Sequence, residues 1–541
     1  MINIFKAKIL SELTPFKGCQ LRNIDFKTEN YSAFVGAILV IPQAITFAYL
    51  AGLPPEYGIY CAIFVTFFAS MSGSSPMVGG PNTAVAILIG IAVLPLAGRG
   101  SPLYIDYVLI LSLMVGIIQL IVWLLRGGHF FKYFSPQAIT GITTGVGFLI
   151  MISSLDGLTG MSPTKTTLFY EKLILLSQNW NDLTNGYSFI IGMVTLVVGL
   201  VGKKFAPRYY IVMALLAGYL CGTLIHLIVP QVTTEVELLG KIPFTLLPLS
   251  FPPLDYDHII VGFELFDSAV TIAFIGLAQS MVIVNDLKLQ TRQPYDTNKE
   301  VFSQAFSNML APFFSSFAGS GSFNRTAVSI SMGAKSPIAS MLSSAWVAVI
   351  ILLLGPLLSY LPMPSMAAIL FLVGLGMVKP SKIKSHSLKR DDAIMLWTTL
   401  FCVVFLGLKV GIIIAIILSV SIFLSHTSNL EITDSIIDDC RIITIHGNCY
   451  YASLDQILPY FKEPERNLLI NLEYVAYFDS SIAEFICKKQ KSYANTQHQM
   501  ALILPNPKFQ TYIRQASTSQ QNINIYSNFY QARTEFISSI K

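Results

Sequence analysis

Charged residues are scarce in this chain. Only 12% of its 541 residues are charged while 53% are apolar, whereas soluble globular proteins carry about a quarter charged residues. The deficit is uneven, because residues 31–426 form a series of apolar runs near the roughly 20 residues that a bilayer crossing needs. Mixed charge returns after that. We therefore predict a cytosolic N-terminal segment at 1–30, a membrane domain at 31–426 and a cytosolic α/β domain at 427–541.

Several chemical signatures are also missing. The seven cysteines form no C-x-x-C pair and have no metal-ligand spacing, so we expect them to stay reduced. The sequence has no nucleophile–base pair, metal cluster or phosphate-binding loop, which predicts a protein that is not an enzyme and needs no metal or other cofactor. The N-terminus shows no cleavable signal pattern. The net charge of +5 collects in loops, and we expect no nucleic-acid partner.

Apolar runs follow one another through the membrane domain, and their number predicts the topology. They begin near Tyr31, Glu56, Pro81, Tyr104, Pro136, Tyr187 and Tyr209 in the first half, and near Gly262, Val301, Asn324, Ser336, Pro364, Asp391 and Lys409 in the second. With both termini in the cytoplasm, about nineteen Lys and Arg residues lie inside and about five outside, as the positive-inside rule requires. Seven spans per half place the halves in opposite orientation, and such inverted repeats are typical of transporters.

The third span is irregular in both halves. Residues 74–83 read SSPMVGGPNT, and residues 319–326 read GSGSFNRT. Each is a stretch rich in small residues that leads into a helix-start signal, Pro81 in one and Ser322 or Asn324 in the other. Irregular backbone is tolerated at membrane depth only where it is buried or lines a wet cavity. We therefore predict two half-helices that begin at a binding site near the midplane.

Half-helices that face each other with their N-termini concentrate positive potential. Each N-terminus is equivalent to about +0.5 charge, and its free N–H groups bind anions without a charged side chain. Arg325 adds a full charge at the start of the second half-helix, and an intramembrane Arg is a candidate functional residue. The alternative is that Arg325 only ties span ends to backbone carbonyls.

The first span contributes polar residues next to a proline. Pro42 interrupts the helical ladder, and Gln43 and Thr46 follow it. Phe47, one turn after Gln43, can place its positively polarised ring edge at an anion. The alternative is a proline kink with polar residues packed between helices, and this span alone would favour that alternative.

Taken together, these motifs resemble the signature of the sulfate permease (SulP) family. The matching stretches occur in the family's order and spacing at 41–48, 51–60, 73–75, 80–81, 298–300, Asn308 and 321–328, and the tail resembles the family's STAS domain at 479–481. The resemblance implies a polytopic α-helical membrane protein of about fourteen spans, built as a seven-plus-seven inverted repeat with core and gate domains, plus a cytosolic STAS domain. It also implies homodimers and an anion site at Gln43, Phe47, Asn82, Phe323, Asn324 and Arg325, to which we add Ser322.

These expectations define a function. We predict a secondary transporter of small inorganic anions in the cell (inner) membrane, with sulfate as the first candidate and elevator-like alternating access by exchange or cation-independent transport. Bicarbonate, chloride or dicarboxylate transport, coupled to sodium or protons, is the alternative. The expected partners are the anion, the lipid bilayer, a second copy of the chain and a cytosolic regulator at the STAS domain.

Two positions depart from the family pattern. Many bacterial members carry an acidic residue in the eighth span, where this chain has Gln279; Asp267 is a poor substitute, so cation coupling is in doubt. In the tail, Ile482 stands where the family has Gly. Ser480 or Ser481 is a candidate phosphorylation site, as in the anti-anti-sigma relatives, although the simpler interpretation is that these serines cap a helix.

Two other functions are alternatives to transport of an inorganic anion. Nucleobase permeases share the architecture, but they use acidic residues in the eighth and tenth spans, where this chain has Gln279 and Arg325, and they lack a STAS tail. A sensor that binds an anion in the membrane and signals through the tail is compatible with the sequence.

Overall fold

A computed structural model describes most of the chain and divides it into two compact units, residues 1–419 and 420–541. The division falls inside the last membrane helix, shortly before the predicted boundary at 426. Residues 1–23, most of the predicted N-terminal segment, lie outside the described part. The other residues outside it are 129–134, 161–169, 171–173, 175–177, 179–185, 207–209, 229–235, 241–242, 254, 379, 388, 439, 462–465, 517–522 and 539–541.

The first half of the larger unit is helical. Its helices are α1 (Phe26–Leu50), α2 (Pro55–Tyr60), a π-helical turn (Cys61–Val65), α3 (Thr66–Ser72), α4 (Thr83–Val93), α5 (Pro102–Leu124), α6 (Pro136–Ser153), α7 (Leu155–Thr159), α8 (Gly186–Phe205) and α9 (Tyr210–Ile228). Local sequence explains several starts. The hydroxyls of Ser101 and Ser135 accept hydrogen bonds from N–H groups in the first turns of α5 and α6, and a proline follows each serine at the first helical position, where its missing N–H costs nothing.

The second half repeats this pattern. Its helices are α10 (Tyr256–Thr291), α11 (Thr297–Leu310), a 3₁₀ turn (Ala311–Phe314), α12 (Phe323–Ser331), α13 (Pro337–Leu358), α14 (Met363–Met377), α15 (Pro380–His386), α16 (Arg390–Phe405) and α17 (Leu408–Ser428). Every predicted apolar run coincides with one helix or with a chain of short helices. The largest offsets are Tyr31 against Phe26 and Gly262 against Tyr256. Tyr209 itself lies outside the described residues.

The helices of the membrane domain differ in length and apolar character. In the described part of the chain, eight helices are long and apolar enough to cross a membrane, and Thr83–Val93 and Val410–Ser425 are apolar but shorter. The other predicted runs form the broken helix at 55–72 and the short helices α11, α12 and α16. The half-helices predicted in the third span of each half are α4 and α12.

The two halves make equivalent helix contacts. Helix α1 packs against α13, and their counterparts in the opposite halves, α10 and α5, pack against each other as well. Likewise α4 lies against α10, and α12 lies against α1. Exchanging the halves maps each pair onto the other, which confirms the inverted repeat. Glycine permits the closest approaches: a Cβ on Gly116 of α5 would lie 2.4 Å from the backbone nitrogen of Met309 at the end of α11.

The smaller unit is an α/β domain built on one sheet. Its elements are β1 (Glu431–Ile437), β2 (Cys440–Cys449), a 3₁₀ turn (Tyr451–Ser453), α18 (Leu454–Ile457), a 3₁₀ turn (Leu458–Tyr460), β3 (Asn467–Asn471), β4 (Val475–Phe478), α19 (Ser480–Ala494), β5 (Met500–Ile503), α20 (Pro507–Ala516), β6 (Asn524–Tyr526), α21 (Phe529–Ala532) and a π-helical turn (Arg533–Ile537). The sheet order is β1-β2-β3-β5-β6 with β4 beside β2. β1 and β2 are antiparallel, and the other pairs are parallel.

The core of this domain follows the apolar runs of the sequence. β3 and β5 are buried along almost their whole length, and α19 and α20 pack against each other. The six cysteines in the described part are free thiols. Burial, helped by the nearby Asp479 carboxylate, raises the pKa of the Cys449 thiol to about 12. That thiol therefore stays protonated and unreactive at neutral pH.

Candidate functional site

Two extended segments, 78–82 and 319–322, run side by side in opposite directions. The N–H of Ser320 donates to the Gly80 carbonyl at 3.0 Å, and the N–H of Ser322 donates to the Val78 carbonyl at 3.0 Å. Gly80 has a φ of +117°, and a Cβ on Gly319 would lie only 2.4 Å from the Gly80 carbonyl oxygen. Glycine is therefore required on both strands of this crossing, which brings the starts of α4 and α12 together.

A buried carboxylate holds the residues that lead into the first segment. One Glu300 oxygen accepts the N–H of Ser74 at 2.7 Å, the hydroxyl of Ser74 at 2.8 Å and the N–H of Ser75 at 2.8 Å. Farther along, the Thr66 hydroxyl donates to the Gly79 carbonyl at 2.9 Å. No role for Glu300 was predicted, although a lone acidic residue directly before an apolar run was a usable signal.

Neutral groups hold the second segment. The Asn308 side chain accepts the N–H of Gly319 at 2.8 Å and donates to the Gly319 carbonyl at 3.0 Å. It also donates to the Gln119 amide oxygen at 2.9 Å, and the Ser280 hydroxyl accepts the N–H of Gly321 at 2.9 Å. Helices α5, α10 and α11 thus fix this backbone without a charged side chain.

The N-termini of the two half-helices differ in their caps. The Asn82 oxygen accepts the N–H of Ala84 at 3.0 Å and caps α4, while its NH₂ group donates to the Gly321 carbonyl at 2.9 Å. Ser322 occupies the same position before α12, but its side chain makes no capping bond. Among the described residues, no acceptor covers the N–H groups of the first turn of α12. These groups are suited to bind an anion.

Arg325 lies at this junction, and its side chain turns toward the protein. It is 6% exposed, and its Nη2 donates to the Pro81 carbonyl at 2.7 Å. The guanidinium therefore links the start of α12 to the residue before the Asn82 cap. Such a bond to a backbone carbonyl is the alternative role that was predicted for Arg325. The bond also keeps the positive charge beside both N-termini.

The remaining predicted residues surround the junction unevenly. Gln43 and Phe47 are buried on α1, and the Gln43 amide makes no hydrogen bond to any described residue. Phe323 is half-buried and Asn324 is exposed. Gln279 precedes Ser280 on α10, and its buried amide oxygen has no partner among the described residues.

The tail shows a different arrangement at its predicted regulatory serines. The Asp479 carboxylate caps α19 by accepting the N–H of Ile482 at 3.0 Å, and it also accepts the N–H of Tyr451 at 3.0 Å. Ser480 is exposed and Ser481 is half-buried. The helix is therefore capped by Asp479, and the simpler interpretation, in which the serines cap it, is wrong.

Comparisons with known proteins identify the family and the fold. A model of the Sulfate permease family matches residues 26–399. Sulfate transporter 4.1, chloroplastic, of Arabidopsis thaliana is 25% identical over 536 residues, which cover 89% of this chain and 75% of that protein. The murine Slc26a9 anion transporter in its inward-facing state superposes with a TM-score of 0.83 at 18% identity, covering 99% of this chain and 95% of the other. The transmembrane domain of the cyanobacterial bicarbonate transporter BicA superposes with a TM-score of 0.60 at 19% identity, covering 73% of this chain and 98% of the other.

Proposed function

The chain belongs to the Sulfate permease family, whose members are multi-pass membrane anion transporters and not enzymes, and on this premise we propose that it carries sulfate by exchange or cation-independent transport. The observation that carries the proposal is the uncapped N-terminus of α12 beside Arg325. Free N–H groups and a buried positive charge suit an anion and reject a cation or a neutral solute.

The charge of the junction favours a divalent anion. Two half-helix ends at about +0.5 each and one Arg sum to roughly +2. Glu300 is bonded at Ser74 and Ser75, and position 279 carries a neutral amide, so no described carboxylate lies at the half-helix starts. A dianion such as sulfate matches this charge without a companion cation. The proposed contacts are Gln43, Phe47, Asn82, Ser322, Phe323, Asn324 and Arg325.

The packing of the helices supports elevator-like alternating access. Helices α1, α4, α10 and α12, which carry the proposed site, pack against one another. Helices α6, α8, α9, α14 and α16 form a second set of mutual contacts, which α1 of the first set meets at α9 and α14. We propose that the first set moves as a core domain against the second set as a gate, so that the intact site is presented to each side of the membrane in turn.

The remaining proposals concern the cellular setting. The excess of Lys and Arg in the loops assigned to the inner side supports a cell-membrane protein with both termini in the cytoplasm. We propose a homodimer whose tail, folded as a STAS domain, meets a cytosolic regulator. Exposed Ser480 is the first candidate for phosphorylation there, with Ser481 as the second.

Counterflow in proteoliposomes tests the transport proposal. Vesicles loaded with unlabelled sulfate, bicarbonate, chloride or fumarate are placed in labelled sulfate, with and without ionophores that dissipate proton and sodium gradients. We expect sulfate-loaded vesicles to accumulate label, and accumulation to survive the ionophores. Accumulation of labelled sulfate only with bicarbonate, chloride or fumarate inside would show that sulfate is exchanged for that anion and not for itself. No accumulation with any loaded anion would contradict sulfate transport. Saturable sulfate binding without counterflow from any loaded anion would indicate the sensor function.

A further inference from the structure

A small cavity lies between α1, α3, α12 and α13, with polar groups set in a mostly apolar wall. One guanidinium and five hydroxyl groups stand in its wall, contributed by Arg325, Ser32, Thr66, Ser329, Ser340 and Ser343. Of the residues proposed to contact the transported anion, only Arg325 belongs to this wall. The cavity is therefore a different space from the front of the α12 N-terminus, and the two spaces share one positive charge.

The wall contains polar groups whose hydrogen-bonding needs are unmet. The Ser32 hydroxyl donates to the Ser329 carbonyl at 3.1 Å and the Thr66 hydroxyl to the Gly79 carbonyl. By contrast, the Nε of Arg325 and the hydroxyl of Ser340 are buried and have no partner among the described residues. Leaving such groups unpaired in a protein interior is costly, and for a charged group the cost is larger. The cavity wall thus presents two buried donor groups without a partner, and the Arg325 Nε can only donate.

Charge and size restrict what fills the cavity. No described carboxylate lines it, so the Arg325 guanidinium has no counter-charge on that side. The space accommodates a body little larger than a water molecule, which excludes a tetrahedral oxyanion such as sulfate. We propose that this cavity is a second anion site, which binds one small monovalent anion of the halide class, such as chloride.

Occupancy of this second site affects the first, a step that rests on the proposed function. A monovalent anion beside Arg325 cancels its charge and lowers the positive charge at the junction from about +2 to about +1. The front of α12 then binds a dianion less well. Chloride therefore inhibits sulfate transport without occupying the sulfate site. Bound sulfate weakens chloride by the same factor, but chloride still binds the second site at saturating sulfate.

Equilibrium binding of radiolabelled chloride to the purified full chain in nanodiscs tests the second site without any transport. We expect one saturable chloride per chain that remains bound at saturating sulfate. Gly36→Ala is the first variant, because a Cβ on Gly36, which lines the cavity, would lie 3.2 Å from the Ser343 hydroxyl. Crowding of this kind should weaken the sulfate-resistant chloride by at least about tenfold.

Matched controls separate loss of the site from general damage. Gly355→Ala on α13 meets no atom closer than 3.9 Å and should keep the sulfate-resistant chloride. Ser340→Ala removes an unpartnered hydroxyl from the wall and should weaken binding, whereas Ser344→Ala removes a hydroxyl bonded to the Met341 carbonyl of its own helix and should not. If Gly36→Ala fails to fold, the serine pair decides.

The outcomes distinguish this inference from the transport proposal. Wild-type protein without sulfate-resistant chloride would show that the cavity holds only water and would overturn the inference. So would sulfate-resistant chloride that survives both Gly36→Ala and Ser340→Ala. Absence of sulfate counterflow, with the sulfate-resistant chloride still present and sensitive to these variants, would instead overturn the proposed substrate and leave the second site standing.

Discussion

Half-helices α4 and α12 occupy equivalent places in the two repeats, yet their N-termini are covered differently. Asn82 caps α4 with its own side chain and donates to the Gly321 carbonyl, whereas Ser322 leaves the first turn of α12 uncapped. The repeat therefore does not give two equal anion sites. In α4, the Asn82 side chain caps the N-terminus and also bonds across to the second segment. In α12, the N–H groups of the first turn stay available to a ligand.

The segments that lead into the half-helices show the same division. The first is held by the buried Glu300 carboxylate and the second by the neutral amides of Asn308 and Gln119. Negative charge is thus placed at the far end of the first segment, and none of the described carboxylates contacts the second. The difference keeps the field at the start of α12 positive.

The largest expected effect comes from breaking the crossing that both half-helices share. Gly319→Ala places a methyl group 2.4 Å from the Gly80 carbonyl oxygen, so the two segments must separate. We expect loss of saturable uptake together with a lowered melting temperature or loss of the folded protein in size-exclusion chromatography. Gly98→Ala, which meets nothing within 4 Å, is the control. Wild-type uptake by Gly319→Ala would show that the crossing tolerates a side chain.

Removing the charge beside α12 should abolish transport without unfolding the chain. Arg325→Ala loses one bond to the Pro81 carbonyl and the full charge next to the anion. We expect no saturable sulfate uptake, while the assembly state in size-exclusion chromatography stays that of the wild type. Arg390→Ala, at the exposed start of α16, should transport normally. Unchanged kinetics of sulfate uptake in Arg325→Ala would show that Arg325 has only a structural role.

A carboxylate added near the start of α12 should make sulfate uptake depend on pH. Gln279 precedes Ser280, whose hydroxyl bonds the Gly321 N–H. In Gln279→Glu the ionised carboxylate cancels part of the positive charge at high pH, and protonation restores it at low pH. Sulfate uptake should therefore rise as pH falls, whereas the wild type should show no such dependence over the same range. A flat profile in this variant would mean that position 279 does not act on the site.

The smallest effect separates the two caps directly. Asn82→Ala removes a bonded cap and should destabilise the protein by about 1 kcal/mol. Ser322→Ala removes a hydroxyl that makes no capping bond, and its stability should stay within about 0.5 kcal/mol of the wild type. Thermal unfolding of both variants in one detergent compares them. Equal losses would contradict the asymmetry between α4 and α12.

Much of this architecture is predictable because hydropathy and glycine are local signals. Apolar run length predicts the membrane helices, and the small-residue stretches before Asn82 and Ser322 predict the half-helix starts. The sequence does not reveal that only Asn82 caps its helix, because the same residue types fit both positions. The direction of the Arg325 side chain and the role of Glu300 depend on contacts across more than two hundred residues of chain. In the tail, β1 escapes prediction because it is mostly exposed and lacks an apolar run.

Locating a bound anion tests the central claim most directly. Selenate replaces sulfate in crystals of the full chain, and its anomalous signal marks the position of the ligand without ambiguity from water. The account predicts a peak within hydrogen-bonding distance of the backbone N–H groups of Phe323, Asn324 and Arg325. A peak at the start of α4 with none at α12, or selenate bound elsewhere in a protein that performs sulfate counterflow, would contradict it.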